Sequence, residues 1–183
     1  MIRAFIKFMF FITGWKVVGG LPKKEKKYVL IVAPHTSYWD FPVGVGARSI
    51  IRLKSRFLIK AELFKNPVLA WVFRLMGGIP VDRGNKNNNI VDIVKAEFDK
   101  HEEFCVTITP EGTRSKVHKW KTGFHRIARA AGVPIVMVSF DFKKKTVELL
   151  EPFYPTDDLE ADMNYILNYY RGITAKHPEL GVT

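Results

Sequence analysis

Three short apolar runs rich in β-branched residues, at positions 28–33, 105–109 and 135–140, most constrain how this chain can fold. Each is too brief for a helix, and its flanking prolines, glycines and charges mark it as a buried strand. Between and after them the period changes. Residues 57–59 and 79–81 read as two further strands. Residues 41–51, 61–76, 90–103, 122–131 and 157–176 read as helices, with Pro67 near the middle of the second or starting a new turn, Asn89 capping the third and Gly132 stopping the fourth. Residues 85–89 read as a polar loop. Lys143-Lys144-Lys145 is turn-like, so 146–150 is expected to pair back on 135–140 as a hairpin. Strands alternating with helices predict an α/β fold, a mixed but mostly parallel sheet flanked by helices.

The 183 residues form a chain of ordinary domain size, and its 47% hydrophobic and 26% charged content suits a folded core. The net charge of +11 is uneven: cations dominate up to about residue 150, whereas 151–183 is acidic. A basic body implies an anionic partner: nucleic acid, anionic lipid or a phosphorylated substrate. The lone Cys105 permits no internal disulfide and lies in an apolar run, so it reads as core filler. The five histidines show no metal-ligand spacing, and no metal or cofactor is implied.

Residues 1–21 are aromatic-rich, with Arg3, Lys7 and Lys16 interspersed, and their uncharged run is too short to span a bilayer. Lys23, Lys24, Lys26 and Lys27 follow. An amphipathic helix in the membrane interface fits this composition; a helix packed on the protein's own core is the alternative. The organisation expected is an interface helix and basic linker over 1–27, then the main domain over 28–183.

The chemistry concentrates after two of the strands. His35 follows the first, and Asp40 comes five residues later, out of helical phase, so a turn must bring them together. Imidazole held by a carboxylate is a general base near neutral pH. Residues 110–115, Pro-Glu-Gly-Thr-Arg-Ser, follow another strand. Arg114 can grip phosphate bidentately, Gly112 lets backbone approach a ligand, and Glu111 can brace the arginine or the histidine. Arg83 adds a cation beyond a third strand. No Gly-x-Ser-x-Gly elbow supports a serine hydrolase. Tyr38, Trp39 and Trp120 offer stacking surfaces, and the charge alone would suit a basic nucleic-acid- or membrane-binding module without catalysis. No nucleic-acid motif accompanies them, and nucleic acid is not expected as a partner.

Four ordered blocks resemble the glycerolipid acyltransferase superfamily: residues 34–40, 78–83, 110–115 and 133–136. Two positions depart from the usual pattern, Pro34 in place of asparagine and Thr109 in place of phenylalanine. The resemblance implies acyl transfer from acyl-CoA or acyl-carrier protein to the hydroxyl of lysophosphatidic acid or a related lyso-lipid in phospholipid biosynthesis. It implies His35 as base, Asp40 as its orienting partner, and Arg83, Glu111, Gly112, Thr113 and Arg114 around the acceptor phosphate. It also implies a peripheral or monotopic enzyme on the cytoplasmic face of the membrane. Residues 63–76 are the expected wall for the acyl chain, or else an ordinary core helix.

Overall fold

The computed structural model describes residues 2–82 and 90–182. Helix α1 (Ile2–Thr13) leads into strand β1 (Lys16–Val18), then β2 (Lys27–Ala33), α2 (Asp40–Ile51) and β3 (Arg56–Lys60). A 3₁₀ turn (Ala61–Lys65) precedes α3 (Pro67–Met76) and β4 (Gly78–Val81). There follow α4 (Ile90–Lys100), β5 (Phe104–Ile108), α5 (Gly123–Ala131), β6 (Ile135–Asp141), β7 (Thr146–Leu149) and α6 (Leu159–Arg171).

The sheet order is β1-β7-β6-β2-β5-β3-β4. Every neighbouring pair is parallel except β6 and β7, the expected hairpin. The inner strands β2 and β6 bury both faces, which explains their continuous apolar runs. Steps from β2 to β3 and from β3 to β4 advance one way across the sheet; the returns to β5 and then β6 go back. Right-handed crossovers therefore put α2 and α3 on one face and α4 and α5 on the other. Packing agrees. Val94, Phe98, Phe124, Ile127, Ile166 and Tyr170, from α4, α5 and α6, share a core with Val29, Ile31 and Val106. Val43 and Ala47 of α2 pack instead with Leu30, Val32, Val136 and Val138.

Several boundaries depart from the sequence reading. Residues 61–76 are not one helix: the Asn66 side chain accepts the N–H groups of Val68 and Leu69, capping a new helix with Pro67 at its first turn. The last helix is shorter than 157–176, capped by Asp158 and ending at Arg171. Residues 1–21 do not stay helical, because Gly14 turns the chain at φ 77° and Lys16–Val18 pairs with β7, a strand the sequence did not suggest. The Asn89 cap and the loop over 85–89 lie outside the described residues.

Helix α1 docks on α2 and also faces outward. The Arg3 guanidinium donates to the Ile50 carbonyl at 2.9 Å, and Phe10 lies over Gly46 so closely that a Cβ there would stand 2.4 Å from its ring. Phe5, Phe8 and Phe11 are exposed. No described helix is long and apolar enough to cross a membrane.

Candidate active site

Strands β2 and β5 are adjacent and parallel, so the segments leaving their C-terminal ends are neighbours. That is where open α/β sheets place ligands. After β2 the chain makes a tight turn from His35 to Asp40, which begins α2. Asp40 Oδ2 accepts the backbone N–H groups of Thr36 and Ser37, both at 2.9 Å, and lies 3.1 Å from His35 Nδ1. The carboxylate is thus held in place before it meets the histidine, and it puts the imidazole proton on Nδ1. Nε2 is left with a free lone pair. The Asp40 side chain is 1% exposed and that of His35 19%, so the imidazole reaches open space while the carboxylate does not.

Glu111, from the loop after β5, lies behind the histidine. Both its oxygens accept the His35 backbone N–H, at 3.1 and 3.0 Å. The family resemblance set Glu111 around the substrate phosphate, and the residue reading let it brace the arginine or the histidine; here its carboxyl faces the His35 turn. Burial pushes the Glu111 carboxyl up to about 7, and the His35 N–H only partly offsets it.

The outer part of the loop carries the cations. Gly112 has φ 69°, a conformation that favours glycine, and a Cβ on it would stand 2.9 Å from Lys121 Nζ. Lys121 is returned to the loop by its own N–H, which donates to the Pro110 carbonyl at 3.0 Å. Its part in the cationic rim was not expected from sequence, where it stands well past the motif. Thr113 Oγ1 accepts the Ser115 N–H at 3.2 Å and shapes the turn. The Arg114 guanidinium lies over Tyr38, 4.3 Å from the ring centroid, and its buried Nε has no hydrogen-bond partner among the described residues. The motif thus brings His35, Asp40, Glu111, Gly112, Thr113 and Arg114 together, whereas Arg83 lies outside the described residues.

Beneath α2 a cavity of about 210 Å³ opens at His35. Val32, Val138, Phe140 and Leu149 of the sheet form its floor, and Gly44 and Ala47 of α2 its roof. Small residues on the inner side of α2 make the room. At the far end Arg48 spans from α2 to the carbonyls of Leu53, Ser55 and Met76, at 3.2, 3.0 and 3.1 Å. Of the expected acyl wall over 63–76, only Met76 lines this cavity, because α3 lies further along the sheet. Cys105 is buried, and desolvation raises its thiol to about 12, which suits core filler and not a nucleophile.

The family model for acyltransferases matches residues 16–141, which takes in His35, Asp40, the 110–115 loop and Lys121. A 1-acyl-sn-glycerol-3-phosphate acyltransferase of Streptococcus pneumoniae is 26% identical over 76% of this chain and 54% of its own length. A lyso-ornithine lipid O-acyltransferase of Pseudomonas aeruginosa is 29% identical over 86% of this chain and 59% of its own length. The chain therefore spans between half and three fifths of the length of these curated relatives. The crystal structure of the 1-acyl-sn-glycerophosphate (LPA) acyltransferase from Thermotoga maritima superposes with a TM-score of 0.62 at 24% identity, covering 92% of this chain and 74% of that one. That likeness carries the fold, with its sheet and flanking helices. With the family match spanning both the His35 turn and the loop after β5, the chain belongs to the acyltransferase family.

Proposed function

We propose that this protein is a 1-acylglycerol-3-phosphate O-acyltransferase-like enzyme, moving a fatty acyl group onto the hydroxyl of a lysophospholipid. The observation that carries this reading is the His35–Asp40 pair at the mouth of an apolar cavity, beside a cationic loop. His35 Nε2 takes the proton of the acceptor hydroxyl as its oxygen attacks the thioester carbonyl carbon. A C–O bond forms, the C–S bond breaks, and the imidazolium returns its proton to the departing thiolate. Asp40 stabilises the imidazolium, and no acyl-enzyme is needed. Arg114 and Lys121 meet the acceptor's anionic headgroup, while the cavity beneath α2 takes the acyl chain. Arg83, one more cation in the sequence, is assigned to the same headgroup on the family pattern alone.

The donor is acyl-CoA or acyl-carrier protein, both anionic and suited to a basic surface. The exposed aromatic face of α1 and the lysines at 23–27 support a membrane-surface reading, and we assign the cytoplasmic face because the thioester donor is made there. The test is thiol release by purified protein from palmitoyl-CoA with lysophosphatidic acid, and separately with lyso-ornithine lipid. Acceptor-dependent release, with phosphatidic acid as product, is expected. Release with neither acceptor, for a folded protein and with either donor, would overturn the reading.

A further inference from the structure

Large apolar side chains left exposed in this molecule are not spread evenly. Among the described residues, all but Tyr154, Leu159 and Tyr165 precede Gly77. One group is the outer face of α1. Another is α3, where Val68, Trp71 and Leu75 stand 68%, 65% and 68% exposed at helical i, i+3, i+7 spacing. The opposite side of α3 is already used: Ala70 is buried, and Phe73 packs over Gly78 of β4. A helix facing water would carry polar residues along the outer stripe, as α4 does with Asp92, Lys95 and Asp99. In α3 the one charged residue is Arg74.

We propose that α3 is a second lipid-contacting element, lying in the interface of an anionic membrane beside the surface held by α1. The proposal rests on the reading that α1 meets a membrane and extends it to a separate helix. Three observations select lipid as the occupant. The stripe has a tryptophan at its centre, and Lys60, Lys65 and Arg74 lie around it, against the single acid Glu62. A second copy of the chain would bring those cations toward one another, whereas anionic headgroups complement them. Helix α3 also lies on the same face of the sheet as α2, whose Arg48 bonds the Met76 carbonyl at the end of α3. Helix α1 packs on that same α2. With 10 residues α3 is too short to span a bilayer, so it lies in the interface. Two apolar helices would then flank α2, and the cavity beneath it would be held at the surface where lyso-lipids and acyl chains reside.

The experiment uses the full chain and vesicles of phosphatidylglycerol and phosphatidylcholine. A triple variant, Val68→Ser, Trp71→Ser and Leu75→Ser, is compared with Phe5→Ser, Phe8→Ser and Phe11→Ser in α1. Each set is expected to lower vesicle partitioning about ten-fold or more, with sedimentation velocity unchanged. Because serines lower helix propensity in α3, wild type is also read by brominated-lipid quenching. A quenched, vesicle-dependent component absent from Trp71→Phe supports the proposal without any destabilising change. Binding lost only in the α1 set, with no Trp71 quenching, overturns the α3 assignment and leaves the membrane reading of α1 intact. Failure of wild type to bind vesicles at all overturns both. A wild-type dimer that the α3 triple variant dissociates, with partitioning unaltered, makes the stripe a self-association surface and overturns the proposal.

Discussion

Among the described residues two histidine–aspartate pairs stand out, and they are placed very differently. His35 and Asp40 meet at 3.1 Å, at the open ends of β2 and β5. His125 of α5 and Asp162 of α6 meet more closely, at 2.7 Å, with both side chains 5% exposed. The second pair is a short buried hydrogen bond, and neither residue lines the cavity that opens at His35. Its aspartate also accepts the Thr156 N–H and hydroxyl, which ties α5, α6 and the segment before α6 into one unit. Proximity of imidazole to carboxylate does not make a base. The far nitrogen must reach a space where a substrate can sit, with cations nearby to hold it. The first pair fastens a turn to a site; the second fastens one helix to another.

Breaking each pair should therefore separate rate from stability. His35→Ala is expected to lower acyl transfer about 10²–10⁴-fold, with little change in melting temperature. Unchanged turnover in the folded variant would remove the catalytic reading of this pair. Asp162→Ala should do the reverse. It strands a buried imidazole and the Thr156 donors, at a cost of about 3–5 kcal/mol in denaturant unfolding, while the fraction still folded keeps its turnover. Burial opposes ionisation of Asp162, but hydrogen bonds from His125 and Thr156 still hold its carboxyl below the usual range. This stabilisation is present above the ordinary aspartate pKa and fades as pH falls through the depressed one.

The two pairs were not equally legible in the sequence. His35 and Asp40 lie within one motif after a strand whose apolar run is unmistakable, and the loop at 110–115 sets Glu111, Gly112 and Arg114 within six consecutive residues. His125 and Asp162 are distant along the chain, and only the packing of α5 against α6 joins them. The same divide runs through the rest of the fold. Strands β2, β5 and β6 were readable because burial on both faces leaves an uninterrupted apolar run. Strand β1 was not, since three residues at a sheet edge carry no pattern, and its pairing is set by β7 more than a hundred residues later. The break between the 3₁₀ turn and α3 depended on reading Asn66-Pro67 as a cap and first turn, not as a flaw inside one helix. The wall of an acyl site was expected in the most apolar helix. The apolar cavity at His35 lies instead under α2, whose Gly44 and Ala47 signal space by being small.

Glu111 sharpens the contrast through the opposite response to pH. Its folded-state carboxyl titrates at about 7, well above the ordinary 4.5 of the unfolded chain. Between these values the folded protein keeps a proton that the unfolded chain has lost. The group's contribution to stability is therefore greatest below about pH 4.5 and falls until about pH 7. Glu111→Gln keeps a side-chain carbonyl for the His35 N–H and removes the titration. Across that window the variant should gain on wild type by about 2–3 kcal/mol in urea unfolding, beyond which the difference stays level. A difference independent of pH would show that Glu111 ionises as an ordinary carboxyl.

The smallest expected effect tests the cation beside the first pair. Among the described residues no ion pair engages Arg114, and its stacking on Tyr38 fixes the plane of the guanidinium at the mouth of the site. A charge-assisted bond to phosphate is worth about 1.5–3 kcal/mol, so Arg114→Ala should raise the KM for lysophosphatidic acid about ten-fold or more. The KM for the acyl donor should change little. Arg114→Lys should recover only part of the loss, because an ammonium neither forks around a phosphate nor stacks flat on Tyr38. An acceptor with no phosphate should respond to neither substitution, which separates headgroup recognition from a general disturbance of the loop. A rise confined to the donor KM would move Arg114 to the phosphates of CoA, leaving Lys121 over Gly112 as the cation nearest the acceptor.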